Sequence, residues 1–490
     1  MKLKSPSAVV RYQSAQGRWL LAATIVGSSL TALDGTVVNI ALPAIGRDLG
    51  AKLATMQWIV IAYDLSVSSL LLLAGALGDQ YGLRRVFLIG VVWFAASSVL
   101  CGLAPSGEVL IAGRIIQGMG GALLTPGSLA LLEASFHPED RTRAIGAWSG
   151  WGGAAVAIGP FLGGYLIDAA SWRFIFFMNI PLAAWVWWLV RRHVSETRKT
   201  AHRALDWPGA LIAGLGLGGI TFAAIEAPSL SRPQTIGILV ASAACLAGFV
   251  AIERRSTHPM MPLELFRNPM FAGANAVTLA VYAGLSASFF LLPLHLQGVL
   301  HYSALASGMA LLPVTALMLL LSASAGRLSQ RIGPRLPMTF GCLLVGVGIC
   351  LLGRVQAGTG FVDTALPALV VFGLGLALMV APLTATVMGA VPSERSGIAS
   401  AINNAVAYSA GLLAIAVLPL AAGLSGPGGN NPMQLESGFR RAMNLSAGLC
   451  IVGAIVALFT IRVSKEASSR PCRMHCAVSA PPLQEGIPPS

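Results

Sequence analysis

Apolar residues in this chain come in runs of about twenty, separated by short polar connectors. A run of that length spans the roughly 30 Å hydrocarbon core of a bilayer as one α-helix. Counting the runs predicts spans at 18–42, 56–77, 86–105, 108–132, 143–167, 172–191, 206–226, 234–252, 271–293, 304–325, 336–353, 364–388, 397–422 and 441–462, fourteen in all. The short pairs around Pro105 and Asp168 are where a count could slip. The expected fold class is therefore an all-α polytopic membrane protein.

Charge in the connectors tests the count. An even number of spans puts both termini on one side. With the termini inside, inner segments carry 24 of the 32 Lys and Arg residues, outer ones carry 7, and Arg114 lies within a span. That excess obeys the positive-inside rule, and one miscounted span early in the chain would scramble it.

An internal repeat divides the spans. Gly75 to Arg84 matches Gly326 to Arg335, and Pro138-Glu139-Asp140-Arg141-Thr142 resembles Pro392-Ser393-Glu394-Arg395-Ser396. The offsets agree within about three residues, as duplication of a six-span unit requires. The expected units are a cytoplasmic N-terminal tail (1–17), a six-span bundle (18–191), a loop with two linking spans (192–252), a cytoplasmic loop (253–270), a second six-span bundle (271–462) and a disordered cytoplasmic tail (463–490).

Composition narrows the function. Of 490 residues, 55% are hydrophobic and 10% charged; soluble domains carry about 25% charged residues. A cytosolic enzyme, a disordered chain and a fibrous protein are excluded. The net charge of +13 sits between apolar runs, so topology explains it better than nucleic-acid binding. Five of seven cysteines, Cys101, Cys245, Cys342, Cys350 and Cys450, lie in apolar runs and read as small hydrophobes. Cys472 to Cys476 offers too few ligands in a Pro-rich tail to predict a metal site. The first apolar run is longer than a signal-peptide core and reads as an uncleaved span.

No phosphate loop, His-x-x-x-His pair or Cys-x-x-Cys pair occurs. The glycine clusters at Gly118 to Gly121 and Gly214 to Gly219 lie inside spans, where small residues let helices approach closely. Asn444-Leu445-Ser446 spells a glycosylation sequon but begins an apolar span.

The informative residues are charges within spans, each costing about 2.5–3.5 kcal/mol at a helix centre on the insertion scale. Asp34 is mid-span in the first, Asp64 lies in the second and Arg114 in the outer half of the fourth. Glu133 and Glu226 sit near span ends, within reach of water. Either aspartate could pair with Arg114 to hold the bundle. Alternatively, one carboxylate takes and loses a proton, and movement of Arg114 gates it. Gln117 shares the Arg114 face at a spacing of three, and Thr31 shares that of Asp34. Gly159-Pro160-Phe161-Leu162-Gly163-Gly164 combines a proline kink with a small-residue face, compatible with ordinary packing or a functional hinge.

These residues resemble motifs of the major facilitator superfamily, specifically its fourteen-span drug:proton antiporters, over about residues 15–465. Gly75 to Arg85 is similar to the loop signature between spans two and three. The resemblance makes Gly75, Asp79, Gly82, Arg84 and Arg85 a cytoplasmic gate. Leu33 to Pro43 resembles the first-span signature, and Arg114-Ile115-Ile116-Gln117-Gly118 the fourth-span motif implicated in proton transfer. Gly159, Pro160, Gly163 and Gly164 match the fifth-span antiporter motif of exporters. Ser171 to Pro181 resembles the lead-in to span six.

The sequence also departs from the family pattern. Gln330 replaces the acidic position in the second loop, Asp64 matches no motif, and spans nine to fourteen carry no central carboxylate. That absence puts the expected coupling in the first half and also weakens the case for divalent cationic drugs. Asn403, Asn404 and Tyr408 are candidate cavity residues or interhelical hydrogen-bonders.

The resemblance implies two six-helix bundles with two linking helices, in a bacterial-type cytoplasmic (inner) membrane with both termini cytoplasmic. It implies a monomer that exports lipophilic drug-like molecules in exchange for protons. Partners are then a small-molecule substrate, protons and the lipid bilayer, without nucleic acid, metal, cofactor or enzymatic activity. The alternatives are an exporter dedicated to one metabolite or self-made antibiotic, and a non-transporting membrane sensor.

Overall fold

Ser14 opens the first helix by accepting the Gly17 N–H with its side chain, and Gly50 closes it in the left-handed conformation (φ 61°). This helix, α1 (Ala15–Leu49), is followed by α2 (Leu53–Tyr81), α3 (Leu83–Gly102), α4 (Gly107–Ser135), α5 (Pro138–Ala169) and α6 (Phe174–His193). Two linking helices come next, α7 (Trp207–Ile225) and α8 (Arg232–Arg255). The second bundle comprises α9 (Pro269–Gly298), α10 (Ala304–Ile332), α11 (Arg335–Leu352), α12 (Phe361–Gly389), α13 (Ser396–Ala421) and α14 (Met433–Thr460). The computed structural model describes residues 10–196, 206–256, 259–392, 395–424 and 432–461. Lys2, Lys4, Arg198, Lys199, Arg203, Ser393, Glu394, Cys472 to Cys476 and the expected C-terminal tail lie outside the described residues.

All fourteen expected spans are helices long and apolar enough to cross a membrane. Their ends differ from the apolar count. α1 runs on to Leu49 and carries Arg47, while α14 begins at Met433 and places Arg440 and Arg441 on helix rather than in a connector. Apolar counting stops at the first charge, whereas backbone hydrogen bonding continues wherever side chains can reach the interface.

The repeat has a backbone counterpart. Gly82 (φ 104°) and Gly333 (φ 85°) both take positive φ at the turn after the second helix of their bundle. Such a turn strains any residue with a Cβ.

The alternating helices define two faces. The terminal face carries the start of α1 and the α2–α3 and α4–α5 turns; the opposite face carries the α1–α2 and α9–α10 turns. On the terminal face Val10 pairs with Phe136, and Arg11 meets Glu139 at 2.7 Å. The Tyr12 N–H donates to Asp140. The segment before α1 is thereby strapped to the α4–α5 turn.

The linking helices explain the glycines of α7. A Cβ at Gly214 or Gly218 would press on Ser69 or Leu65 of α2, and one at Gly216 or Gly219 on α8 through Leu246 or Ser242. These glycines thus serve packing, as expected.

Among the described residues, the apolar core joins the bundles mainly at one end. One cluster combines Val37 to Ile45 and Ile59 to Ile61 with Phe290 to Leu296 and Leu412 to Ala416, toward the opposite face. A second, including Leu20, Phe87, Leu131 and Val190, belongs to the first bundle and touches the second only through Ala405 and Tyr408. The polar contacts between bundles agree. Gln57 donates to the Ile415 carbonyl at 2.6 Å, Gln297 to that of Ile40 at 2.9 Å, and Asp168 accepts the Leu305 N–H at 2.9 Å. All three lie toward the opposite face. Toward the terminal face Trp151 on α5 and Leu320 on α10 are exposed, and Gly146, Gly150 and Gly153 have open space around them. The contacts between the bundles thus close the opposite face and thin out toward the terminal face.

Candidate functional site

The densest buried polar cluster among the described residues lies inside the first bundle, where α1, α2, α3, α4 and α6 meet. Arg114 of α4 and Asp34 of α1 form an ion pair with both side chains 1% exposed. The other Asp34 oxygen accepts from Gln117 Nε2 at 2.9 Å and from Asn179 Nδ2 at 3.4 Å. Gln117 Oε1 accepts from Arg114 at 2.7 Å, and its amide also donates to Ser98 Oγ at 2.9 Å. Arg114 Nε donates to the Ile59 carbonyl at 3.0 Å, and the guanidinium stacks 4.3 Å from the Tyr63 ring.

Local sequence builds this arrangement. Arg114 and Gln117 share a helix face at i, i+3. Gly118 and Gly121 let α4 close on α2, since a Cβ at either would strike Tyr63. The close approach brings the Ile59 carbonyl within reach of Arg114. A charge pair out of water is tolerable only when its remaining donors and acceptors are satisfied, and here both charges have supporting hydrogen bonds. Two orphans remain, Tyr63 Oη and Asn179 Oδ1, each buried without a partner.

The structure brings Asp34, Arg114 and Gln117 together and leaves Asp64 apart. Asp64 is half-buried, makes no hydrogen bond or ion pair among the described residues, and lies within electrostatic reach of Arg114 and Asp34. Tyr408 of the second bundle stands near Asp64 and Thr125. Asn403 donates to Thr278 at 2.7 Å and to Asn275 at 3.2 Å, a hydrogen bond between α13 and α9. Asn404 is exposed.

The glycine-proline segment of α5 sits between α1 and α10. A Cβ at Gly159 or Gly163 would collide with Thr36 or Val37 of α1, two and three residues from Asp34. Gly164 faces the Ala304 carbonyl, and a Cβ at Gly308 would strike the Pro160 carbonyl. The same short segment thus contacts α1 in its own bundle and α10 in the other.

At the terminal face, Arg84 reaches α6 rather than the second bundle. Its Nη2 donates to the Arg191 carbonyl at 2.7 Å and its Nε to that of Val190 at 3.3 Å. The Gly82 turn rests against Glu196, whose Oε1 accepts the Arg84 N–H at 3.2 Å. Asp79 and Arg85 make no hydrogen bond or ion pair among the described residues, and Gly75 has open space beside it.

Sequence reasoning assigned no role to Ser98, Asn179 and Tyr63 in the network, or to Gln57, Gln297 and Asp168 between bundles. Their signal was available as buried amides and hydroxyls in apolar spans, but without a partner each reads as ordinary interhelical glue. Asp48 was missed too; it accepts from Trp172 Nε1 at 2.9 Å and Arg173 Nη1 at 2.6 Å, tying α1 to the approach to α6.

Comparison with known proteins places these features in context. Residues 24–415 match the family model described as the Major Facilitator Superfamily. The chain is 38% identical over 406 residues to the multidrug resistance protein Stp of Mycobacterium tuberculosis (strain CDC 1551 / Oshkosh), covering 81% of this chain and 74% of that one. It is 36% identical to the tetracenomycin C resistance and export protein of Streptomyces glaucescens, at the same coverage. It is 32% identical to the puromycin resistance protein pur8 of Streptomyces alboniger, over 92% of both chains. Among solved structures, the POT family transporter PepTSo superposes with a TM-score of 0.65 at 14% identity, covering 89% of this chain and 96% of that one. A bacterial homolog of the human lysosomal transporter Spinster does so with 0.65 at 14%, covering 92% and 98%. These structures share the fold.

Proposed function

The chain belongs to the major facilitator superfamily as a transporter rather than an enzyme, and we propose that it exports lipophilic drug-like molecules in exchange for protons. Relatives named for multidrug, tetracenomycin C and puromycin resistance support the export reading. The observation that carries the proton reading is the Asp34–Arg114 pair, buried beside the α5 segment that touches both bundles.

The proposed coupling follows from what holds each partner. Arg114 is anchored within its own bundle by the Ile59 carbonyl, Gln117 and the Tyr63 ring. Protonation of Asp34 removes the negative charge and leaves Arg114 in place. α1 then loses its strongest tie to α4. Because Thr36 and Val37 bear on Gly159 and Gly163, a shift of α1 displaces α5, and Gly164 and Pro160 pass it to α10. Movement there switches which end is closed: substrate taken from the cytoplasm opens the outer end, and a proton reaching Asp34 from outside returns the bundles to the state described here. Release of that proton to the cytoplasm restores the pair and resets α1. One charge crossing 100 mV is worth about 2.3 kcal/mol, enough for tens-fold accumulation.

By the positive-inside rule we assign the terminal face, and both termini, to the cytoplasm of a bacterial inner membrane. The structure then corresponds to a state open to the cytoplasm, with Asp64, Asn404 and Tyr408 as residues that a bound substrate would meet. Arg84 bonded to α6 and an Asp79 without a partner among the described residues fit a cytoplasmic latch in its released state. The six-span units expected at 18–191 and 271–462 are the bundles proposed to rock, with the chain acting as a monomer.

A narrower reading is an exporter dedicated to one natural product, favoured by relatives named for resistance to single antibiotics. Proteoliposomes with an imposed pH gradient and an internal pH dye test both. Release of protons by several unrelated lipophilic compounds, lost in Asp34→Asn, is the expected result. Release by one compound class alone selects the narrower reading. Binding of compounds without any proton release or flux by wild type would overturn coupled transport and favour a sensor.

A further inference from the structure

A cavity of about 830 Å³ lies outside the first bundle, away from the network and the bundle interface. It is a groove between α3 and α6, with Ile116 of α4 contributing to its wall. Its two ends differ in chemistry. Arg84, Arg85 and Arg191 stand at the terminal-face end, with Glu196 the single acid among them. Beyond them α3 contributes Leu88, Ile89, Val92, Trp93 and Leu100, and several of these are well exposed, Val92 at 53%.

The arginines are not equivalent. Arg84 is engaged with the Val190 and Arg191 carbonyls. Arg191 lies 4.7 Å over the Trp187 ring, and its side chain makes no hydrogen bond or ion pair among the described residues. Arg85 is exposed and makes no hydrogen bond or ion pair among the described residues. Two guanidiniums therefore bring unsatisfied donors to the mouth of an apolar slot. From Arg85 to Leu100, α3 rises about 22 Å at 1.5 Å per residue, and one leaflet of hydrocarbon is about 15 Å deep. The slot is long enough for an acyl chain and wears its charge where a headgroup would be. Trp93 walls it rigidly, because its indole N–H is fixed to the Ile116 carbonyl at 2.8 Å.

We propose that an anionic phospholipid occupies this groove, with its phosphate on Arg85 and Arg191 and an acyl chain along α3. A neutral-headgroup lipid fits the slot but lacks the net charge complementing two free guanidiniums. Basic pockets between spans recognise lipid phosphates in this way. The site adjoins the α2–α3 turn through Arg84, so its occupant would clamp the end of α6 against α3.

Native mass spectrometry of the full chain in mild detergent, titrated with phosphatidylglycerol, phosphatidylcholine or glycerol 3-phosphate, tests the proposal. Phosphatidylglycerol should be retained about tenfold better than phosphatidylcholine, and glycerol 3-phosphate should not compete at equal concentration. Arg85→Gln with Arg191→Gln should erase the preference, while Arg192→Gln, which removes a charge from the neighbouring Trp188 stack, should keep it. Ala96→Phe fills the slot at an exposed position without changing charge and should weaken retention of both lipids. It also serves as the readout if the double variant fails to fold. Equal retention of the two lipids overturns the proposal. So does loss in Arg192→Gln as large as in the double variant, effective competition by glycerol 3-phosphate, or indifference to Ala96→Phe.

Discussion

Arg114 of α4 holds Asp34 of α1 in an ion pair sealed from solvent, eighty positions apart in sequence and three residues or fewer from the α1 positions that bear on α5. The pair therefore joins the interior of one bundle to the surface on which that bundle meets the other.

Replacing Asp34 with Asn keeps the shape and removes the charge. Breaking a buried pair by deleting one partner costs about 3–5 kcal/mol, because the remaining charge stays buried. Asp34→Asn should lower the thermal midpoint in detergent and abolish compound-driven proton release. Adding Arg114→Gln should recover part of the stability, with a coupling of at least about 1 kcal/mol in the double-mutant cycle. Full additivity would mean that the two residues do not act as a pair.

Among the described residues Asp64 has no hydrogen-bond or ion-pair partner to lose. Asp64→Asn should leave the thermal midpoint within about 0.5 kcal/mol of wild type, the usual range away from buried networks. Proton release should persist, with weaker apparent affinity for cationic compounds and little change for neutral ones. Loss of proton release with every compound would move the proton site from Asp34 to Asp64.

The closed end depends on close backbone approach. Gly308→Val would drive a side chain into the Pro160 carbonyl, and overpacking of this kind costs about 1–3 kcal/mol. The closed state should lose population by roughly tenfold to a hundredfold. Spin labels at Lys52→Cys and His301→Cys, one on each bundle at this face, should report a longer distance. Gln57→Leu removes one interhelical hydrogen bond, worth about 0.6 kcal/mol, and should shift the same distribution about threefold. Unchanged distances in both variants would contradict the account of how this end closes.

Gly82 holds a backbone conformation that strains any residue with a Cβ. Its φ is 104° and a Cβ would overlap the Glu196 carboxylate. Strain of this kind costs about 1–3 kcal/mol. Gly82→Ala should slow transport several-fold while leaving equilibrium binding of a fluorescent substrate nearly unchanged. Pairing it with Glu196→Gly, which clears the overlap but not the strain, should restore only part of the rate.

Much of this protein was written in its sequence because the bilayer enforces local rules. Every backbone polar group in hydrocarbon must be satisfied within its own segment, so a run of about twenty apolar residues had no alternative to a helix. The fourteen spans, the duplication and the isolated charges Asp34, Asp64 and Arg114 were legible for that reason. Helix ends such as Leu49 and Met433 were not, since a charged residue ends an apolar run without ending a helix.

The tertiary structure decided what depends on distance between spans. Sequence left two aspartates as partners for Arg114, and only packing selected Asp34, because Gly118 and Gly121 bring α4 onto α2 and seat the guanidinium on Tyr63. The same holds for Asn179, Ser98 and Gln57, whose partners lie on helices tens to hundreds of positions away. Asn403, legible only as a polar residue in an apolar span, became an interhelical hydrogen bond once α9 lay beside it. Spacing within a helix determines which residues share a face; only helix packing determines what that face meets.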